Sequence, residues 1–182
     1  MSHLARLTMV LALAIGLAGC ETAQVGWHAE PGTDFARYGT YAWGPSDLMP
    51  TGDPRFDNNP FFMARVQSAA EQQMAAKGLQ KSAAEDADLS IHYHFSVSER
   101  VDIFEVDRRF SVCAEGGCEP EIVMYEEGTL MFDILETGSD KLVWRGWALG
   151  QVPPELVNDQ PALNRAIDGA VGQIFENFPP RG

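Results

Sequence analysis

Residues 128–150 read GTLMFDILETGSDKLVWRGWALG. Leu130, Phe132 and Ile134 alternate with Met131, Asp133 and Leu135. After the turn-forming Glu136-Thr137-Gly138-Ser139-Asp140, the alternation resumes: Leu142, Trp144, Gly146 and Ala148 against Val143, Arg145, Trp147 and Leu149. Successive side chains of a strand point to opposite faces, so period two marks a strand buried on one side. Two such runs about a Gly-containing turn predict an antiparallel hairpin.

The same alternation occurs upstream. Leu89, Ile91, Tyr93, Phe95 and Val97 form the apolar set, with His92, His94 and Ser96 between them. Residues 101–112 are expected to form a further strand. A tip at Cys113–Cys118 follows, and residues 121–125 return, giving a protruding hairpin. Thr40 to Trp43 predicts a first strand. Two amphipathic helices complete the pattern. One opens at Asn59-Pro60, carries Phe62, Val66, Ala69, Ala70 and Met74 at three-to-four spacing, and stops at Gly78. The other starts at Pro161 and presents Leu163, Ile167, Ala170, Val171, Ile174 and Phe178.

This order, β-α-β-β-β-α, predicts an α+β fold. Its sheet is antiparallel or mixed, of about four or five strands, with two helices packed on one face. The helices take the aliphatic side. His92, His94 and part of the 128–150 hairpin then line the other.

The amino terminus is read separately. Arg6 precedes an apolar run, Leu7 to Leu17, that ends at Ala18-Gly19-Cys20. A charged start, a short apolar stretch and a small-residue exit make a secretory signal. The run is about half of the ~20 residues a membrane span needs. A cysteine directly after Leu-Ala-Gly is the pattern of a bacterial lipoprotein leader. Residues 1–19 are therefore expected to be a signal peptide, with Cys20 as the lipid attachment point. Residues 20–33 read as a polar tether, broken by Gly26, Pro31 and Gly32, and residues 34–180 as one domain. Glu21 favours the outer membrane, so the expected place is the cell envelope, on the periplasmic side.

The chain carries 13 basic and 26 acidic residues, a formal charge of −13. Such a surface repels phosphate backbones, so nucleic acid is not an expected partner. The expected partners are the membrane, through the lipid, and an envelope protein or cell-wall polymer. Besides Cys20 there are two cysteines, Cys113 and Cys118, around Gly116-Gly117. In an oxidising compartment a hairpin brings such a pair within disulfide reach. Free thiols and a metal site are the alternatives.

Several blocks resemble one known family. Phe35, Tyr38-Gly39-Thr40-Tyr41-Ala42-Trp43, Ala87-Asp88-Leu89, Gly128-Thr129-Leu130-Met131-Phe132-Asp133 and Lys141-Leu142-Val143-Trp144-Arg145-Gly146 look like the DUF4136 family of bacterial lipoproteins. The final helix, ending in Phe178-Pro179-Pro180, is similar too. The resemblance spans roughly residues 25–180. It implies an exported, lipid-anchored α+β domain and brings no activity or catalytic residues with it. The Cys113–Cys118 tip has no counterpart in the family pattern.

Little else in the chain points to chemistry. His92 and His94, two apart on a strand, point the same way and could begin a metal site, with Glu99 and Asp102 nearby in sequence. The plainer reading is a polar strand face. Arg145 amid Val143, Trp144 and Trp147 could bind an anionic group beside an indole. It could instead pair with Asp133 across the hairpin. Ser96 and Ser98 lie near His94, yet there is no nucleophile elbow and no phosphate-cradling loop, so no cofactor is expected. These residues leave three expectations in order: a non-enzymatic binding module, a small-ligand or metal-binding lipoprotein on the open sheet face, and a hydrolase.

Overall fold

The computed structural model describes residues 23–44, 51–57, 59–104 and 121–180. The described strands are β1 (Gln24–Ala29), β2 (Thr40–Trp43), β3 (Gln80–Lys81), β4 (Leu89–Phe104), β5 (Glu121–Glu136) and β6 (Lys141–Gln151). The helices are α1 (Pro60–Ala76), α2 (Pro154–Asn158) and α3 (Gln160–Glu176). The strands form one sheet in the order β1-β6-β5-β4-β2-β3. β2 runs parallel to β4 and β3, while the other pairs are antiparallel. The parallel step from β2 to β4 is what requires the intervening α1, since parallel neighbours need a long crossover.

Local chemistry explains the helices. The Asn59 side chain accepts hydrogen bonds from the N–H groups of Phe61 and Phe62, and Pro60 occupies the first turn. Such a cap is worth about 1 kcal/mol. The buried residues of α1 are Phe62, Val66, Ala69, Ala70 and Met74, the same stripe that the spacing predicts. Asp159 caps α3 by accepting from Ala162 N–H. Both helices cover one face of the sheet. Phe175 of α3 packs on Phe132 of β5 (ring centroids 5.0 Å apart) and on Trp144 of β6 (5.5 Å). Phe62 of α1 packs on Phe95 of β4 (4.8 Å).

The family blocks acquire physical roles here. Asp88, just before β4, accepts hydrogen bonds at Oδ2 from Gly39 N–H (2.7 Å) and Thr40 N–H (2.9 Å). Its own N–H donates to the Thr40 hydroxyl (3.0 Å). This exchange fastens the start of β2 to the start of β4.

The α+β class holds, and three details change. The sheet has six strands rather than four or five, and the described residues hold three helices rather than two. Residues 24–29 are an edge strand, not tether: all six pair with β6, from Gln24↔Leu149 to Ala29↔Trp144. The domain therefore begins before residue 34. Residues 101–104, the described part of the strand expected over 101–112, do not open a new strand but continue β4, paired with β5 as far as Phe104↔Glu121. β6 ends opposite Glu127, so residues 99–104 and 121–126 form a two-stranded arm beyond the sheet. Cys20, Cys113 and Cys118 lie outside the described residues.

Candidate functional site: the uncovered sheet face

Register alone assembles a row of polar side chains on the face opposite the helices. His28 of β1 is level with Arg145 of β6, Arg145 with Asp133 of β5, and Asp133 with His92 of β4. The next level holds Gly26, Trp147, Met131 and His94. Three of the chain's four histidines thus gather on one face of an acidic protein.

Asp133 is the centre of the row. It is only 8% exposed, and it accepts a two-pronged ion pair from Arg145: Nε to Oδ1 at 2.5 Å and Nη2 to Oδ2 at 2.6 Å. Donating to the Asp133 carboxylate holds the guanidinium above its ordinary pKa, so Arg145 stays charged. The His94 ring stands beside the same carboxylate, its Nε2 3.8 Å from Oδ2. Pairing across the hairpin is therefore what Arg145 does. Its remaining N–H donors, on a partly exposed side chain, are oriented by Asp133.

His92 goes elsewhere. Its Nε2 lies 3.1 Å from Ser90 Oγ, and its ring fills the space above Gly44, where a Cβ would come within 2.2 Å. The two histidines share a face as predicted, but one ring leans towards the end of β2 and the other towards β5. Among the described residues, no group of three His, Cys, Asp or Glu side chains is placed to hold a metal ion. Glu99 lies away from them, lining a cleft against residues 52–55. The side chain of Asp102 is outside the described residues.

Trp147 supplies the aromatic surface. Its indole lies across β1 over Gly26, where a Cβ would meet Cζ2 at 2.3 Å and Cε2 at 2.5 Å. Only a glycine lets the ring settle there. Trp147, Met131 and Leu149 are all partly exposed on this face. Neither Ser96 nor Ser98 hydrogen-bonds to His94. Among the described residues it is Ser90 whose hydroxyl stands against a histidine, His92.

A second cluster has no sequence signal. Asp53 is buried, and its carboxylate accepts from Arg55 Nε at 2.9 and 2.7 Å, while Arg55 Nη2 reaches Glu126 at 2.6 Å. The Arg55 bond holds Asp53 below the usual carboxylate range. The Val97 N–H also donates to Thr51 O at 2.8 Å. Together these contacts strap the 51–57 loop across the base of the arm.

The model for a domain of unknown function, DUF4136, matches residues 25–180. The chain belongs to the DUF4136 family. Its fold is similar to that of a DUF4136 family protein from Bacteroides thetaiotaomicron, with a TM-score of 0.56 and 16% identity over 86% of this chain and 96% of that one. It is also similar to part of a PDZ domain protein from Parabacteroides distasonis, with a TM-score of 0.55 and 12% identity over 86% of this chain. There the DUF4136 chain spans about a third of the other protein, 35% of its length. At such identities the likeness speaks for the fold alone. Comparison with curated proteins returns no match.

Proposed function

We propose that this DUF4136 protein is a non-enzymatic binding module, held in the cell envelope by lipid on Cys20 after removal of residues 1–19. It meets an envelope protein or cell-wall polymer through its uncovered sheet face. One observation carries the reading. The face left bare by the helices is not uniformly polar: it sets partly exposed Trp147 and Met131 beside a fixed Arg145–Asp133 pair and His94. Aromatic and methionine side chains next to an oriented arginine are the usual anchors of a contact surface. In the same exported setting Cys113 and Cys118 would be joined. Uptake of two alkyl groups by the unreduced protein would reject that bridge.

The ligand or metal reading and the hydrolase reading have less behind them. The rings of His92 and His94 diverge, and the Ser90–His92 contact sits in a strand whose backbone N–H groups belong to the ladder rather than to an oxyanion site.

The test is photo-crosslinking in intact cells from a reactive residue placed at position 131, compared with one at Gln72 on the outer side of α1. A recurring adduct from position 131 and none from position 72 is expected. Equal capture from both positions, or none from position 131, would overturn the reading.

A further inference from the structure

Trp147 lies flat on its strand. A Cβ at Gly26 would stand 2.3 Å from Cζ2, 2.5 Å from Cε2 and 3.0 Å from Nε1 of the indole. A point in the ring plane and outside the ring, so close to both carbons, would be equally close to Nε1. Gly26 therefore lies beneath the face of the indole and not at its edge. One face of the ring rests on β1. The other is turned away from the sheet, on the side that the helices leave bare, where Trp147 is partly exposed.

The surroundings of that ring are polar and carry no surplus charge. Arg145 precedes it by two positions on β6, a step of about 7 Å along the same face. The fork from Arg145 to Asp133 uses Nε and Nη2, so Nη1 is not engaged by the carboxylate. Across the two levels of the row Asp133 is the one acid, and Arg145 meets its charge. With the histidines neutral, the patch is uncharged in a chain whose net charge is −13. Its apolar part is small: Trp147, Met131 and Leu149, closed off at the level of Leu149 by Gln24, Thr129 and Ser96. A protein interface of ordinary size covers about 800 Å² per partner around a continuous apolar centre. One flat indole bordered by polar groups suits a narrower ligand, with an apolar face and a polar rim.

We propose that Trp147 is a stacking platform for a neutral glycan, the sugar backbone of the cell wall, with Arg145 and His94 hydrogen-bonding to its rim. This deepens the reading of the bare face as a contact surface and rests on it. A pyranose with equatorial substituents gathers its C–H groups above and below the ring, and these lie well against the electron-rich face of an indole. Its hydroxyl and N-acetyl groups then project sideways. Arg145 donates to them from Nη1, and a neutral His94 ring offers one donor and one acceptor. The ion pair with Asp133 holds the guanidinium in place beforehand, so little freedom is lost on binding. The backbone sugars of the cell wall fit because they are equatorially substituted and uncharged. An acidic polysaccharide would be repelled by the net charge of −13.

The probes are soluble oligomers of N-acetylglucosamine, which share that backbone chemistry, and polygalacturonate, an acidic glycan. Calorimetry on the purified protein is expected to show binding of the first and not of the second. Trp147→Leu keeps an apolar cover on Gly26 but removes the ring, and should weaken binding by about fivefold or more. Trp27→Phe should leave binding unchanged. Trp27 is 50% exposed and level with Gly146, where a Cβ would meet Ile174, so it stands on the helix-covered side. Should Trp147→Leu fail to fold, acrylamide quenching of the Trp27→Phe chain decides, because the bound oligomer must shield Trp147. Equal binding by the two variants, no binding by the unaltered protein, no shielding, or tighter binding of polygalacturonate overturns the inference. Crosslinking from position 131 separates the failures. A protein adduct there without glycan binding sinks the glycan alone, whereas neither adduct nor glycan binding sinks the contact surface too.

Discussion

Arg145 shows what one residue can and cannot tell. Its pairing with Asp133 was legible in part: both stand on the polar sets of one hairpin, but it takes the register shift between Ile134 and Leu135 to bring them level. Arg55 was not legible. Its partner Glu126 is 71 positions away, and only the folded loop brings the two together. Replacing Arg145 by Met would leave the Asp133 carboxylate buried without its fork, at a cost of about 1–3 kcal/mol, discounted because Arg145 itself is well exposed. The double replacement with Asp133→Leu should recover most of that loss in urea unfolding. Equal instability of the single and double variants would mean that packing, not charge, is lost. Asp88→Ala should cost about 1–2 kcal/mol by the same measurement, since it strips the Gly39 and Thr40 N–H groups, at the start of β2, of their acceptor. An unchanged midpoint would show that water replaces the carboxylate there.

At the scale of elements, strongly periodic segments were readable and weakly patterned ones were not. α1 had a cap, a proline and a complete stripe. The β5–β6 hairpin had two clean alternations about a turn. β1 escaped notice because it is six residues long, contains Gly26 and His28, and lies at an edge where only part of each side chain is covered. The continuation of β4 escaped because Ser98, Glu99 and Arg100 are exposed and polar and carry no apolar alternation. The position of β1 makes a clear prediction. A chain starting at residue 34, the boundary suggested by composition, should lose about 3–6 kcal/mol at ~1 kcal/mol per main-chain hydrogen bond, and should expose β6 as an open edge. Circular dichroism during urea unfolding, with gel filtration for self-association, would check it. A monomer of undiminished stability would refute the structural role of β1.

For the molecule as a whole, composition and charge gave the class early, and the order of strands had to wait for the structure. Alternation tells which way a side chain points but not which strand lies beside which. The charge also has a measurable effect. Acids outnumber bases two to one, so the folded domain repels itself, and most of its ion pairs are exposed and individually weak. Raising sodium chloride from ~0.02 to ~0.5 M shortens the screening length several-fold. The urea midpoint should then rise, corresponding to about 1 kcal/mol of added stability. A falling midpoint would mean that the ion pairs outweigh the repulsion.

The sheet order also sets a timetable. β1, first off the ribosome, pairs only with β6, whose partner residues are more than a hundred positions later in the chain. Among the described strands, no other borders β1. While the chain emerges amino terminus first, this strand must wait unpaired until nearly all the rest has arrived, and closing so long a loop is slow. β1 is thus the last strand that can dock, and until it does, β6 remains an open edge to any neighbouring chain.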